Sequence, residues 1–197
     1  MSVHGQQKYQ VRFDHGIAGA TRIAPGAQVV VLVDVLDGHG ALTTDDALRT
    51  VAAAAGVDPG ADVLLVTSSA AAGAVARHVL ERQEARGDRA VVAVVAAGAV
   101  EADGFRPAVE DQLAAGAVVD ALAAVGIDFS SPEAAVACAA SMALVRAGSH
   151  LLTASASATE LVSTDRGDVV DAARASSSAA GVGSGDPTGV REFSRSA

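Results

Sequence analysis

Large rings are nearly absent from this chain, which has four Phe, one Tyr and no Trp in 197 residues. Its core must therefore be assembled from Ala, Val and Leu, whose small side chains favour the close helix–sheet packing of layered α/β folds. A single cysteine, Cys138, excludes an internal disulfide and any cysteine-based zinc site. It stands in the apolar helical stretch EAAVACAASMAL and reads as an inert core residue. Positive charge is scarce too, with 14 Lys and Arg against 23 Asp and Glu and a net charge of −9. No basic patch offsets that balance, which argues against nucleic acid as a partner. The same surface repels an anion at long range, so a phosphate site here needs a local cation or backbone donors.

Long apolar runs are missing as well. The longest, Ala90 to Val100, falls short of the ~20 residues needed to cross a bilayer. The opening MSVHGQQKYQ has no apolar segment of the signal-peptide kind. The expectation is a cytoplasmic protein with no membrane partner. The five histidines (His4, His15, His39, His78 and His150) show no metal-ligand spacing. Only His39, which shares a loop with Asp34, invites attention; His78 reads as a surface residue.

What the chain does have is a hydrophobic content of 50% and a repeated alternation of strand and helix patterns. QKYQVRF alternates, with Tyr9, Val11 and Phe13 on one face and Lys8, Gln10 and Arg12 on the other, which predicts a half-exposed strand at a sheet edge. A short helix over Ile17 to Ala24 precedes Pro25. QVVVLVDVL is apolar on both faces, as a central strand covered on both sides must be. TTDDALRTVAAAAG begins with a cap, Thr43 or Thr44, carries Asp45 and Asp46 at the positive end of the helix dipole, and exits at Gly56.

The strand DVLLV, the helix ending at Gly87, the strand AVVAVVAAG and the helix RPAVEDQLAAGAVVDALAAVG continue the pattern, with Pro107 near the last helix's first turn. Ser131 and Pro132 start another helix, and Ser157 to Glu160 reads as a capping box before a further short one. The fold class is α/β: three α/β/α layers around a mostly parallel central sheet. A single domain spans residues 1–175, and the Ser/Gly-rich residues 176–197 read as a flexible tail. Within that tail GVGSGDPTG follows no strand and lacks a Gly-Lys-Ser/Thr, which excludes a nucleotide loop.

Ligands of parallel sheets bind outside the carboxyl ends of the strands. Asp34 ends one apolar run; Thr67, Ser68 and Ser69 follow another; Gly98 follows a third. Asp34 is either a hard-oxygen ligand for Mg²⁺ or a cap for the following turn. Glu110 and Asp111 open a helix, where acidic residues also suit the dipole; one of them facing the strand ends could complete a metal site with Asp34. The hydroxyls and amides of TSSAAAG suit a phosphate or ordinary capping.

Two segments, YQVRFDHGIAGATRIAPGAQVVVLVDVL and VVAVVAAGAVEADGFRPAVEDQLAAGAVVDAL, resemble the 2-phosphosulfolactate phosphatase family. The matching residues are Val33, Asp34, Val35 and Leu36, then Ala97, Gly98, Glu110, Asp111, Ala115 and Gly116. SPEAAVACAASM and LLTASASATELV resemble that family's C-terminal helices. The resemblance implies a Mg²⁺-dependent phosphoric monoester hydrolase acting on 2-phosphosulfolactate or a similar small anionic phosphate ester. Asp34 and Glu110 would be catalytic; Asp34, Glu110 and Asp111 would hold the metal; Thr67, Ser68, Ser69 and Arg106 would bind substrate. A homo-oligomer is compatible with this reading. Asp37 stands where the family has a positive or neutral residue, and a middle segment is absent between Gly56 and Asp62. These departures define the alternative, a catalytically impaired relative acting as a ligand- or protein-binding scaffold.

Overall fold

The structure, a computed structural model, describes residues 4–40, 43–54, 57–178 and 190–193. Five strands form the central sheet: β1 (Val11–His15), β2 (Val29–Val33), β3 (Asp62–Val66), β4 (Val92–Ala96) and β7 (Val190–Glu192), in the order β1-β4-β2-β3-β7. All pairs are parallel except β3–β7. The alternating faces of the apolar strands sort the helices into layers. Val30, Leu32, Leu65 and Val95 point at α1 (Gly16–Ile23) and α2 (Thr44–Ala53). Val29, Val31, Val33, Leu64 and Val94 point at α3 (Ala72–Arg86) and α4 (Val109–Ala124). Each fully buried Val or Leu in these two cores contributes about 1.5–3 kcal/mol of transfer free energy. The result is the three-layer α/β/α arrangement with a mostly parallel sheet.

Behind α4 lie α5 (Pro132–Leu144), α6 (Gly148–Ala154), α7 (Ala156–Ser163) and α8 (Gly167–Ser178), whose inner residues Ala137, Leu152, Leu161 and Val170 join the same core. By length and composition the helical stretch Pro132–Ser163 is apolar enough to cross a membrane. Here it is broken into α5, a 3₁₀ turn, α6 and α7, with Val136, Met142 and Val145 exposed.

Several sequence expectations are corrected. β1 is an edge strand, but its polar face is buried: Arg12 is 3% exposed. Its guanidinium donates to the carbonyls of Ile23 and Pro25, both at 2.9 Å, so the chain turning after α1 covers it without leaving it unsatisfied. Burial lowers the Arg12 pKa. The cap of α7 is Ser155, whose Oγ accepts from the Ala158 amide at 3.1 Å, while Ser157 is buried inside the helix. Between β4 and α4 the segment AVEADGFRP forms a hairpin, β5 (Ala99–Glu101) against β6 (Gly104–Arg106). Cys138 is only half buried, beside Asp120 and Met142. Residues 176–178 complete α8, and Val190–Glu192 pairs with β3; the rest of the expected tail, like Gly56, lies outside the described residues.

Candidate functional site

The chain leaves β2 for α2 on one face of the sheet and leaves β4 for α4 on the other. The neighbouring ends of β2 and β4 therefore open a crevice, the usual ligand position in such sheets. Asp34 follows β2 directly and is 7% exposed. Its Oδ2 accepts from the Thr44 hydroxyl at 2.7 Å, and its backbone N–H donates to the Val66 carbonyl. It does not cap the following turn.

That task falls to its neighbours. Asp37 Oδ1 accepts from the Thr44 amide at 2.8 Å, starting α2, and the Thr43 hydroxyl caps the same helix by accepting from the Asp46 amide. Asp111, fully buried on α4, accepts from the Val35 amide through Oδ1 and from the Gly98 amide through Oδ2, each at 2.8 Å. One carboxylate thus ties together the ends of β2 and β4. Gly98 is held at a φ of +62°, and a Cβ there would lie 2.7 Å from the Arg106 carbonyl oxygen. A glycine is required by that turn.

The electrostatics of the crevice are short of positive charge. Burial, then the nearby charges of Asp37 and Glu110, push the Asp34 carboxyl up to about 7 against the opposing hydrogen bond from Thr44. Burial is also the main cause that raises Asp111 well above an ordinary aspartate, followed by the charges of Asp34 and Glu110; its two backbone amides pull the other way.

Asp34, Asp37, Thr44, Thr67, Asp168 and Arg191 line a cleft of about 670 Å³. Arg191 is also ion-paired with Asp45 at its rim. Of the expected substrate-binding group, Thr67 alone borders this cleft. Ser68 is buried and its Oγ accepts from the Ala70 amide at 3.2 Å, an ordinary cap. Ser69 lines a second cavity of about 450 Å³, together with Glu110; Val35 forms part of both. Arg106 sits on β6, donating to Glu101, to the Ser157 hydroxyl and to Glu160.

The three carboxylates expected on one metal thus have three different settings. Asp34 lines the first cleft, Glu110 lines the second cavity with both carboxylate oxygens buried and unpartnered among the described residues, and Asp111 accepts from two backbone amides, while the charges of all three act on one another. Among the described residues, no three His, Cys, Asp or Glu side chains are grouped so as to hold a metal ion. His39 is 4% exposed, with its Nδ1 unpartnered among the described residues, and burial lowers its pKa against the charge of Glu110.

Sequence reasoning passed over Asp168 and Arg191 as cleft residues, because one lies at the start of a late helix and the other beyond the Ser/Gly-rich stretch. It also read Asp37 only as a departure from a family pattern. Its position three residues after Asp34, in the turn leaving a central strand, was the available signal. In comparison with known proteins, the chain matches no family model and no curated relative.

Proposed function

We propose that the Asp34 cleft hydrolyses a small anionic phosphate monoester with the help of Mg²⁺, in the manner of the 2-phosphosulfolactate phosphatases that the sequence resembles. The observation that carries this reading is Asp34 itself. It is a desolvated carboxylate at the carboxyl end of a central parallel strand, in a cleft rich in oxygen donors and poor in free cations. The donor set suits Mg²⁺, which takes one or two carboxylates and completes its shell with water and substrate phosphate. Asp34 and Asp37 would hold it, and it would supply Lewis-acid polarisation of the phosphoryl oxygens.

The chain's own groups do the rest. The Thr44 hydroxyl fixes the orientation of Asp34 by occupying Oδ2, leaving Oδ1 for the cleft. Thr67 and Arg191 supply a hydroxyl and a guanidinium to the ester's oxygens. Asp111 keeps the two strand ends in register, so the cleft does not open when ligand arrives.

Phosphate release from 2-phosphosulfolactate and other small acidic phosphate esters, with Mg²⁺ and with chelator, tests the reading. Mg²⁺-dependent turnover should fall by about 10²-fold or more in Asp34→Asn, the scale of losing a group that acts directly on the reacting atoms. No release above the Asp34→Asn background would sink it. A non-catalytic scaffold is favoured by one observation, the engagement of all three donor nitrogens of Arg106 with other side chains. Binding of the intact ester without turnover would select that second reading.

A further inference from the structure

Helix α5 turns an apolar face outward. Val136, Met142 and Val145, in α5 and the 3₁₀ turn that follows it, are 66%, 59% and 73% exposed, and Ala135, Ala139 and Ala143 are exposed beside them. At 3.6 residues per turn, Ala135, Val136, Ala139, Met142 and Ala143 fall within about 120° of one another around the helix axis. They lie on the side away from the buried Ala134 and Ala137, where α5 packs on α4 and β1. Only 11% of the most apolar window within Pro132–Ser163 is buried, so these side chains do not form part of a core. Contiguous exposed apolar surface of this kind marks an interaction site.

The order of residues along the face says what covers it. From Glu133 to Arg146 the sequence is EAAVACAASMALVR, with no charge between its two ends. Both end residues are exposed, and neither has an ion pair or hydrogen bond among the described residues. Along the helix they stand about 20 Å apart, an acid at one end of the apolar face and a base at the other. A second copy of α5 laid antiparallel over the first, on a two-fold axis at Ala139, matches the face to itself. Ala135 then lies opposite the partner's Ala143, Val136 opposite the partner's Met142, and Glu133 beside the partner's Arg146. Such self-complementarity is what an isologous two-fold contact requires. A bilayer surface is a poorer match. Helices that lie in membranes line their polar face with Lys and Arg for the headgroups, whereas Pro132–Ser163 has Arg146 alone and the chain carries a net charge of −9.

We propose that α5 is a homodimer interface: two copies of the chain pair antiparallel through this face, about a two-fold axis at Ala139, with Val136 on the partner's Met142 and Glu133 against the partner's Arg146 at both ends. The alanines let the two backbones approach closely, at or below the 8–10 Å usual between helix axes. Opposite charges at the ends fix the antiparallel direction, since a parallel pair would set acid on acid and base on base. None of these residues lines the Asp34 cleft, and the inference stands independently of the phosphatase reading.

Sedimentation velocity on the full chain from ~1 to ~100 μM tests it, and should show a concentration-dependent dimer in the micromolar range of modest interfaces. Ala139→Glu sets two carboxylates against each other on the axis and should weaken the dimer by about 100-fold or more. Glu133→Arg and Arg146→Glu each place like charges at both ends and should weaken it by about tenfold, while the double reversal restores it. All three positions are exposed, and thermal unfolding of each variant establishes that it is folded before it is sedimented. A monomer at every concentration overturns the proposal. So does a dimer that Ala139→Glu leaves intact, or a double reversal no stronger than either single one. Flotation with phosphatidylcholine–phosphatidylglycerol vesicles reads the other occupant: a monomer that floats, and ceases to float as Ala139→Glu, selects the bilayer and overturns the dimer. Phosphate release is not read in any arm, so failure here leaves the Asp34 reading untouched, and the converse holds.

Discussion

Asp111 joins Val35 to Gly98, accepting one backbone amide on each carboxylate oxygen at 2.8 Å, and so fastens the diverging ends of β2 and β4. Replacing it with Ala strands a buried donor at Val35 and a part-buried one at Gly98, and a buried donor left unsatisfied costs about 1–3 kcal/mol. The loss is partly offset, because a fully buried carboxylate crowded by Asp34 and Glu110 is removed with it. Asp111→Ala should therefore lower the unfolding free energy by about 2–4 kcal/mol in urea titration. Asp111→Asn, which keeps one acceptor, should lose less. Hydrogen exchange at Val35 and Gly98 should accelerate in both. An Ala variant as stable as the parent would mean the bridge does not hold the strands.

Gly116 marks another tight approach, between α4 and α5. A Cβ at Gly116 would lie 2.1 Å from the Ala137 carbonyl oxygen and 2.7 Å from its carbon, both backbone atoms that a side-chain rotation cannot move. Gly116→Ala gains about 1 kcal/mol of helix propensity but forces the helices apart, at a cost of about 1–3 kcal/mol or more. The net effect should be a lower melting temperature. Gly73 in α3 is the control: the nearest atom to its added Cβ is the flexible end of Arg77 at 3.6 Å. Gly73→Ala should be neutral or stabilising by up to about 1 kcal/mol. Equal effects at the two sites would refute the close-approach account.

These two examples show what local sequence could and could not reveal. The valine runs announced β2 and β4, and apolar content on both strand faces announced helices on both sides of the sheet. Asp34 at the carboxyl end of β2 followed from the same pattern. What Glu110 and Asp111 do was not legible. Adjacent helical residues point in different directions, and only the packing of α4 against the sheet decides that Asp111 meets the strand ends while Glu110 meets the second cavity. The polar face of β1 misled for a related reason, because carbonyls supplied by the turn after α1 satisfy Arg12 from a distance in sequence. The hairpin β5–β6 carries a turn signal, Asp103-Gly104, but its strands of 3 residues each are too short to show an alternating pattern.

β7 covers the edge of β3 that would otherwise stand open. Leu64, Leu65 and Val66 pair with Glu192, Arg191 and Val190, and Arg191 reaches the Asp34 cleft from this strand. Arg191→Pro fixes φ and removes a donor from a short antiparallel pair. It should detach β7 and bare the edge of an apolar strand, which is a template for self-association. Light scattering should show concentration-dependent growth, and hydrogen exchange should rise selectively across residues 63–66. Retained solubility with unchanged exchange would show that β3 tolerates an open edge.

The carboxyl of Asp34 should make the metal-free protein less stable as the pH rises. Its pKa is about 7 in the folded chain against an ordinary 3.8, with burial as the largest cause. The folded state therefore holds a proton that the unfolded state has already lost between these values, and a group of this kind weakens folding with increasing pH. Its stabilising contribution is complete below pH ~4 and is lost as pH climbs through about 7. At 1.36 kcal/mol per unit the whole swing is up to about 4 kcal/mol. Asp34→Asn retains an acceptor for the Thr44 hydroxyl and cannot ionise. In urea titrations with chelator from pH 5 to 8, the parent should lose stability steadily and Asp34→Asn should hold more of it, so the variant becomes the more stable protein at pH 8. Added Mg²⁺ should restore the parent at pH 8 and leave the variant unmoved, because a cation repays the cost of an ionised, buried carboxylate. A parent that grows more stable over this range would show that Asp34 is already ionised in the folded state, and the shortage of positive charge on which the cleft's assignment rests would not exist.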